Sequence, residues 1–141
     1  MTPTGLLHHF QRLRLFLAAE VQPALRERGL ATSTAFMLDL VDRYPFPSEM
    51  CRELGMPPPT ASRLLKTLEA EGYVVREGVP EDLRRHRFRL TPAGSELRDV
   101  IHGLLEAGVE RRLGRLTSEE RAELERLMQR LVGEEDGAHD G

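Results

Sequence analysis

Prolines and glycines divide the stretch from Pro45 to Pro92 into pieces too short for anything but small helices and a hairpin. Pro45 and Pro47 close off a preceding helix, and SEMCRELG then reads as a short helix from Ser48 that Gly55 stops. MPPPTASRLLKTLEAEG restarts a helix after its prolines, because proline is tolerated in a first turn, where its missing N–H would be unpaired anyway. Gly72 ends that helix. YVVREGVPEDLRRHRFRL follows as two short strands, Tyr73 to Arg76 and His86 to Leu90, joined by a loop containing Gly78 and Pro80.

Longer apolar stripes flank this region. Leu6, Phe10, Leu13, Leu17, Val21 and Ala24 recur at three-and-four spacing, which predicts a first helix ending near Gly29. Phe36, Met37, Leu40, Val41 and Tyr44 form the stripe of a second helix, with Thr32, Ser33 and Thr34 offering cap oxygens. After the hairpin, Thr91 caps a helix with Pro92 at its first position, and Leu97, Val100, Ile101, Leu104, Leu105, Val109 and Leu113 carry it on for some twenty residues. Thr117 and Glu120 form a capping box for a last helix bearing Leu124, Leu127, Met128, Leu131 and Val132. The tail GEEDGAHDG is acidic and glycine-rich, a composition that favours disorder.

The expected fold class is therefore mainly α with a small two-stranded β wing: a short helix, a turn, a second helix and a hairpin make a winged helix-turn-helix. At 141 residues the chain fits one compact domain, or a small domain with appended helices. Its expected parts are an N-terminal dimerisation helix (1–30), the winged helix-turn-helix (31–91), C-terminal dimerisation helices (92–133) and the acidic tail (134–141).

The charge pattern narrows the function. Formal net charge is -3, yet Arg84, Arg85, Arg87 and Arg89 fall within six positions, and no acidic residue lies between Leu83 and Leu90 to cancel them locally. Alternation sends Phe88 and Leu90 to the core and leaves Arg85, Arg87 and Arg89 on the opposite side, with Arg84 at the tip. On the helix before the wing, Ala61, Leu64, Leu65 and Leu68 share one face, whereas Ser62, Arg63 and Lys66 point away from it. Such a helix suits the major groove of double-stranded DNA, and guanidinium groups on a wing suit phosphates and the minor groove. A solvated amphipathic helix and an arginine-decorated edge strand carry the same pattern without binding anything. Net acidity does not oppose DNA binding, because the relevant field is local, within about 10 Å at moderate salt.

These residues resemble the MarR family of winged-helix transcriptional regulators. SEMCRELGMPPPTASRLLKTLEAEGYVVR is similar to the family's helix-turn-helix and first wing strand, and DLRRHRFRLTPAG to its wing signature of Asp-x-Arg followed by Leu-Thr and Gly. The resemblance implies a sequence-specific transcriptional regulator, a ligand-responsive repressor that binds palindromic DNA as a homodimer through its first and last two helices. It implies that Asp82 and Arg84 stabilise the wing and that Arg84 reaches the minor groove; with the faces read above, the candidate DNA contacts are Thr60, Ser62, Arg63, Lys66, Arg84, Arg85 and Arg87. It further implies a small aromatic or phenolic effector, for which His9, Phe36, Met37 and Tyr44 are candidate linings, with ordinary core packing an equal account of the three apolar ones. Two positions depart from the family pattern: Leu83 stands where relatives often carry Arg, and Pro57, Pro58 and Pro59 replace the usual Ser or Thr cap, leaving Thr60 as nearest substitute.

Other chemistries find no support. There is no Gly-rich phosphate loop, HExxH or GxSxG, so an enzyme is not expected. His8 and His9 diverge on a helix, and the remaining histidines are scattered, so neither a metal nor another cofactor is expected. Cys51, the single cysteine, reads as a buried structural thiol packed against the recognition helix. The sequence contains no apolar run of about 20 residues and no leader signature, which points to the cytoplasm and away from membranes. The alternative function is a winged helix that serves as a protein-interaction module without DNA binding.

Overall fold

The structure, a computed structural model, describes residues 1–133, and the expected tail at 134–141 lies outside the described residues. In chain order the elements are α1 (Pro3–Arg26), α2 (Thr32–Arg43), α3 (Pro47–Leu54), α4 (Pro58–Ala70), β1 (Val74–Val79), β2 (Asp82–Leu90), α5 (Pro92–Leu113) and α6 (Ser118–Val132). The fold is mainly α with a two-stranded antiparallel wing. Two compact units divide within α5, the first running from Met1 to Leu105 and the second beginning at Glu106.

The core of the first unit draws on every one of its elements. Val21 and Leu25 of α1, Met37, Leu38 and Val41 of α2, Met50 of α3, Leu65 and Leu68 of α4, Val74 and Leu90 of the wing, and Leu97 and Ile101 of α5 are all buried. Each such side chain contributes about 1.5–3 kcal/mol relative to exposure. An ion pair of Arg98 with Asp42 and a hydrogen bond between His102 Nε2 and Asp39 at 3.0 Å stitch α5 to α2 beside this core. In the second unit Arg121 of α6 donates to the Leu113 carbonyl at 3.0 Å and to Glu110 at 2.8 Å, and the Thr117–Glu120 capping box forms as its sequence implies.

Local chemistry moves two boundaries. Thr32, Ser33 and Thr34 do not cap α2: the helix begins at Thr32 with Ala31 at its N-cap, so the hydroxyls lie inside the first turn and no side-chain cap bond forms. The wing strands are longer than expected, because the hairpin turns tightly at Pro80 and Glu81. Val79 pairs with Asp82 but Gly78 pairs with His86, so residues 83–85 form a bulge in β2.

One junction fixes the wing to α4. Gly72, at φ 80, ends α4 in a Schellman motif, with Tyr73 N–H donating to the Leu68 carbonyl at 2.9 Å and Gly72 N–H to Glu69 at 3.1 Å. Thr91 closes the far end of the hairpin onto the same spot. Its N–H donates to the Tyr73 carbonyl at 3.0 Å, its hydroxyl donates to the Gly72 carbonyl at 2.6 Å, and its Oγ1 accepts from Gly94 N–H at 3.1 Å. A Cβ at Gly94 would run into the Tyr73 carbonyl oxygen and lie 2.9 Å from its carbon, so only glycine lets α5 start here.

Gly94→Ala is therefore expected to destabilise the fold by roughly 1–3 kcal/mol, since both clashing atoms belong to held backbone. Gly103→Ala, on the same helix with open space around the new methyl, is expected to be neutral or to stabilise by up to about 1 kcal/mol. Urea unfolding of both variants checks this; equal effects would contradict the junction.

Candidate nucleic-acid interface

The α4 face forms as its sequence implies. Ala61, Leu64, Leu65 and Leu68 are buried, while Ser62, Arg63 and Lys66 are exposed and Thr60 is half-buried in the first turn. Pro57 is the N-cap and Pro58 the first helical residue, with no side-chain cap bond. Pro57, Pro58 and Pro59 carry no backbone N–H, and those of Thr60 and Ala61 donate to the Pro57 carbonyl at 3.0 and 3.2 Å, so the start of α4 leaves no N–H in need of a capping oxygen.

The wing divides its arginines between two faces. Antiparallel partners share a face, so the pairs Arg76–Phe88 and Val74–Leu90 put Arg76 beside the core-facing residues, whereas Glu77–Arg87 and Val75–Arg89 lie on the outer side. There Glu77 accepts from Arg87 Nε at 3.2 Å and from Arg89 Nη2 at 2.6 Å. The hydrogen bond from Arg89 holds the Glu77 carboxyl below its usual range against partial desolvation, with Arg87 adding to the effect. Because the folded-state value is lowered, the clamp is complete at neutral pH and is lost as pH falls through the carboxylate range.

This corrects two expectations. The arginine cluster is not free of local acid, because a carboxylate ten positions from Arg87 and twelve from Arg89 becomes a cross-strand neighbour. Nor does Arg85 share a face with Arg87 and Arg89. The bulge resets the alternation, and the Arg85 guanidinium lies over the Phe46 ring, 4.0 Å from its centroid.

A groove of about 920 Å³ runs between α3, α4 and the wing. Phe46, Pro58, Leu65 and Phe88 line its apolar part, and Ser62, Lys66, Arg76, Arg84 and Arg85 supply its polar wall, with Glu69 the acidic member. Arg63, Lys66, Arg76, Arg84 and Arg85 form no salt bridge among the described residues. Asp82 acts on the backbone at the tip: its Oδ1 accepts from Arg84 N–H at 3.0 Å, and the Arg84 guanidinium has no carboxylate partner among the described residues. Arg76 and Phe46 were not singled out from the sequence. Arg76 was legible by period two from Val74, but Phe46, outside any expected strand or helix, carried no signal.

The remaining candidates do not converge. Met37 is fully buried in the core, Phe36 is 61 % exposed, Tyr44 is half-buried against the core and His9 is exposed, so Phe36 and Met37 share no wall. Cys51 is half-buried and lines the groove, which corrects the expectation of a sequestered thiol; its neighbour Met50 takes the core position. No group of histidine, cysteine or acidic residues among the described residues is arranged to hold a metal, and no described helix is long and apolar enough to cross a membrane.

Comparison with known proteins gives the fold its kin. A model of the MarR family matches residues 26–85, from the end of α1 to the wing tip. An uncharacterised HTH-type transcriptional regulator of Mycobacterium tuberculosis is 39% identical over 62 residues, covering 44% of this chain and 39% of the relative. The match thus spans about two-fifths of that relative's length. Among solved structures, the Staphylococcus aureus MepR–DNA complex is similar with a TM-score of 0.76 at 17% identity, over 96% of this chain and 99% of that one. A Mycobacterium tuberculosis MarR family protein in complex with p-aminosalicylic acid is similar with a TM-score of 0.72 at 24% identity, over 94% and 99%. The chain is thus similar to the MarR family over its helix-turn-helix and the first part of its wing, and it shares the fold of these solved structures over nearly its whole length.

Proposed function

We propose that this protein is a sequence-specific DNA-binding transcriptional regulator of the cytoplasm, without catalytic activity, acting as a repressor on palindromic operators. The observation that carries the reading is the segregation of charge: the cations of α4 and the groove side of the wing have no carboxylate partner among the described residues, while Glu77 offsets those on the outer side. In this reading residues 31–91 contact DNA, with Thr60, Ser62, Arg63 and Lys66 in the major groove and Arg84 and Arg85 at the minor groove and backbone. Arg87, already engaged by Glu77, contributes less. The similarity to the MepR–DNA complex supports DNA as the partner, and the relative bound to p-aminosalicylic acid supports a small aromatic effector, for which exposed Phe36 offers a ring.

The same reading makes the protein a homodimer through residues 1–30 and 92–133. Leu7, Phe10, Leu13 and Leu15 of α1 are exposed, as are Leu124, Leu127, Met128, Leu131 and Val132 of α6, a large apolar surface for a small chain. Pairing across a two-fold axis buries such stripes and supplies the symmetry a palindrome needs.

Two measurements test this. Sedimentation at micromolar concentration is expected to give twice the chain mass, and a stable monomer would contradict it. In DNA titrations at several salt concentrations, Arg63→Ala is expected to cost roughly 1–3 kcal/mol on the operator and to relax preference at one position per half-site. Arg85→Ala is expected to weaken operator and random DNA alike, and to lower the salt slope by about one for every phosphate that each subunit ceases to neutralise. Arg87→Ala is expected to change that slope less. If Arg84→Ala and Arg85→Ala both leave affinity and slope unchanged, the wing does not touch DNA and the interaction-module reading replaces this one.

A further inference from the structure

We propose that Phe46 is a positioning residue for the DNA contact made by Arg85, holding that guanidinium at the groove without cancelling its charge; the inference rests on the DNA-binding reading above. Phe46 occupies the N-cap of α3, where Ser, Thr, Asp or Asn is preferred, and makes no side-chain cap bond there. Its carbonyl accepts from Glu49 and Met50 N–H as any N-cap carbonyl would, but the half-buried ring takes no part in the cap and lies under Arg85, 4.0 Å from centroid to guanidinium carbon. The preceding residue also binds the wing, because the Pro45 carbonyl accepts from Phe88 N–H at 2.8 Å. The short link between α2 and α3 thus grips β2 at two heights, once through backbone and once through the ring.

The need for such a grip is electrostatic. Lys66, Arg76, Arg84 and Arg85 all line one groove, so mutual repulsion drives their heads apart, and Arg85 sits in the bulge, where the ladder does not hold it. A carboxylate would fix the guanidinium but neutralise it, which is what Glu77 does to Arg87 and Arg89 on the other face. The face of an aromatic ring attracts a cation while leaving its full charge available to a phosphate. Restricting Arg85 before DNA arrives lowers the ordering cost of the contact.

The test uses Phe46→Leu and Phe46→Tyr in the full-length protein, alone and combined with Arg85→Ala, each first shown to unfold at the temperature of its parent. Without DNA, the Arg85 Nε–Hε resonance is expected to be ring-shifted in the parent and in Phe46→Tyr, and to move to the free-arginine position in Phe46→Leu. With DNA, Phe46→Leu is expected to weaken binding about two- to fivefold at unchanged salt slope, Phe46→Tyr to keep parental affinity, and Phe46→Leu to add nothing once Arg85 is alanine. An Arg85 resonance identical in the parent and Phe46→Leu would overturn the proposal. So would a Phe46→Leu defect that persists in full without Arg85, or tighter binding by Phe46→Leu, which would mean the ring withholds Arg85. Should Arg85→Ala leave DNA binding intact, the DNA role of the wing is wrong and the positioning role goes with it, while the resonance still decides whether the ring holds the guanidinium.

Discussion

The backbone knot at Gly72, Tyr73, Thr91 and Gly94 decides where everything else in the candidate interface can be. Gly72 turns the chain out of α4 with a left-handed residue, Tyr73 is claimed on one side by Leu68 and on the other by Thr91, and Gly94 lets α5 press against the Tyr73 carbonyl. Four consecutive events, the end of a helix, the start of a strand, the end of the partner strand and the start of the next helix, are thereby tied together within one small volume. The wing cannot swing far from α4 without breaking these hydrogen bonds together, each worth about 0.5–1.5 kcal/mol net. The Leu-Thr-Pro-x-Gly stretch, residues 90 to 94, is therefore an anchoring device, with each residue type set by its place in the knot.

Given that frame, the wing sorts its cations by how each is held. Glu77 binds Arg87 and Arg89 and offsets their charge on the outer face, Asp82 fixes the backbone of the tip, and Phe46 lies against Arg85. What is left uncompensated points to one side, where Ser62 and Lys66 of α4 line the same groove. An acidic chain can in this way present a basic surface, since interaction with a polyanion follows the local field and not the net charge.

Much of this was legible in the sequence wherever the governing interaction is local. The face of α4 follows from helical periodicity alone, because Leu64, Leu65 and Leu68 have no alternative to the core once the helix forms. The Thr117–Glu120 box and the glycine stops at Gly55 and Gly72 are likewise set by residues within a turn of one another. Non-local facts were hidden. Glu77 neutralises arginines ten and twelve residues away only because the hairpin registers them together, and the parity of Arg85 depends on a register slip at Gly78 that alternation does not anticipate. Cys51 reads as buried from its short helix alone, whereas the opening between α3, α4 and the wing leaves it lining a groove.

The central claim is that α4 and the wing, locked by this knot, present their uncompensated cations as one DNA-binding surface. Backbone amide mapping by transverse-relaxation-optimised NMR, as duplex DNA flanking the protein's own gene is added, tests it most directly. The expected result is a set of salt-sensitive shift changes concentrated at residues 60–66 and 82–87, both segments responding together along the titration. Saturating changes confined to other parts of the chain, or no change in either segment at low salt, would contradict it.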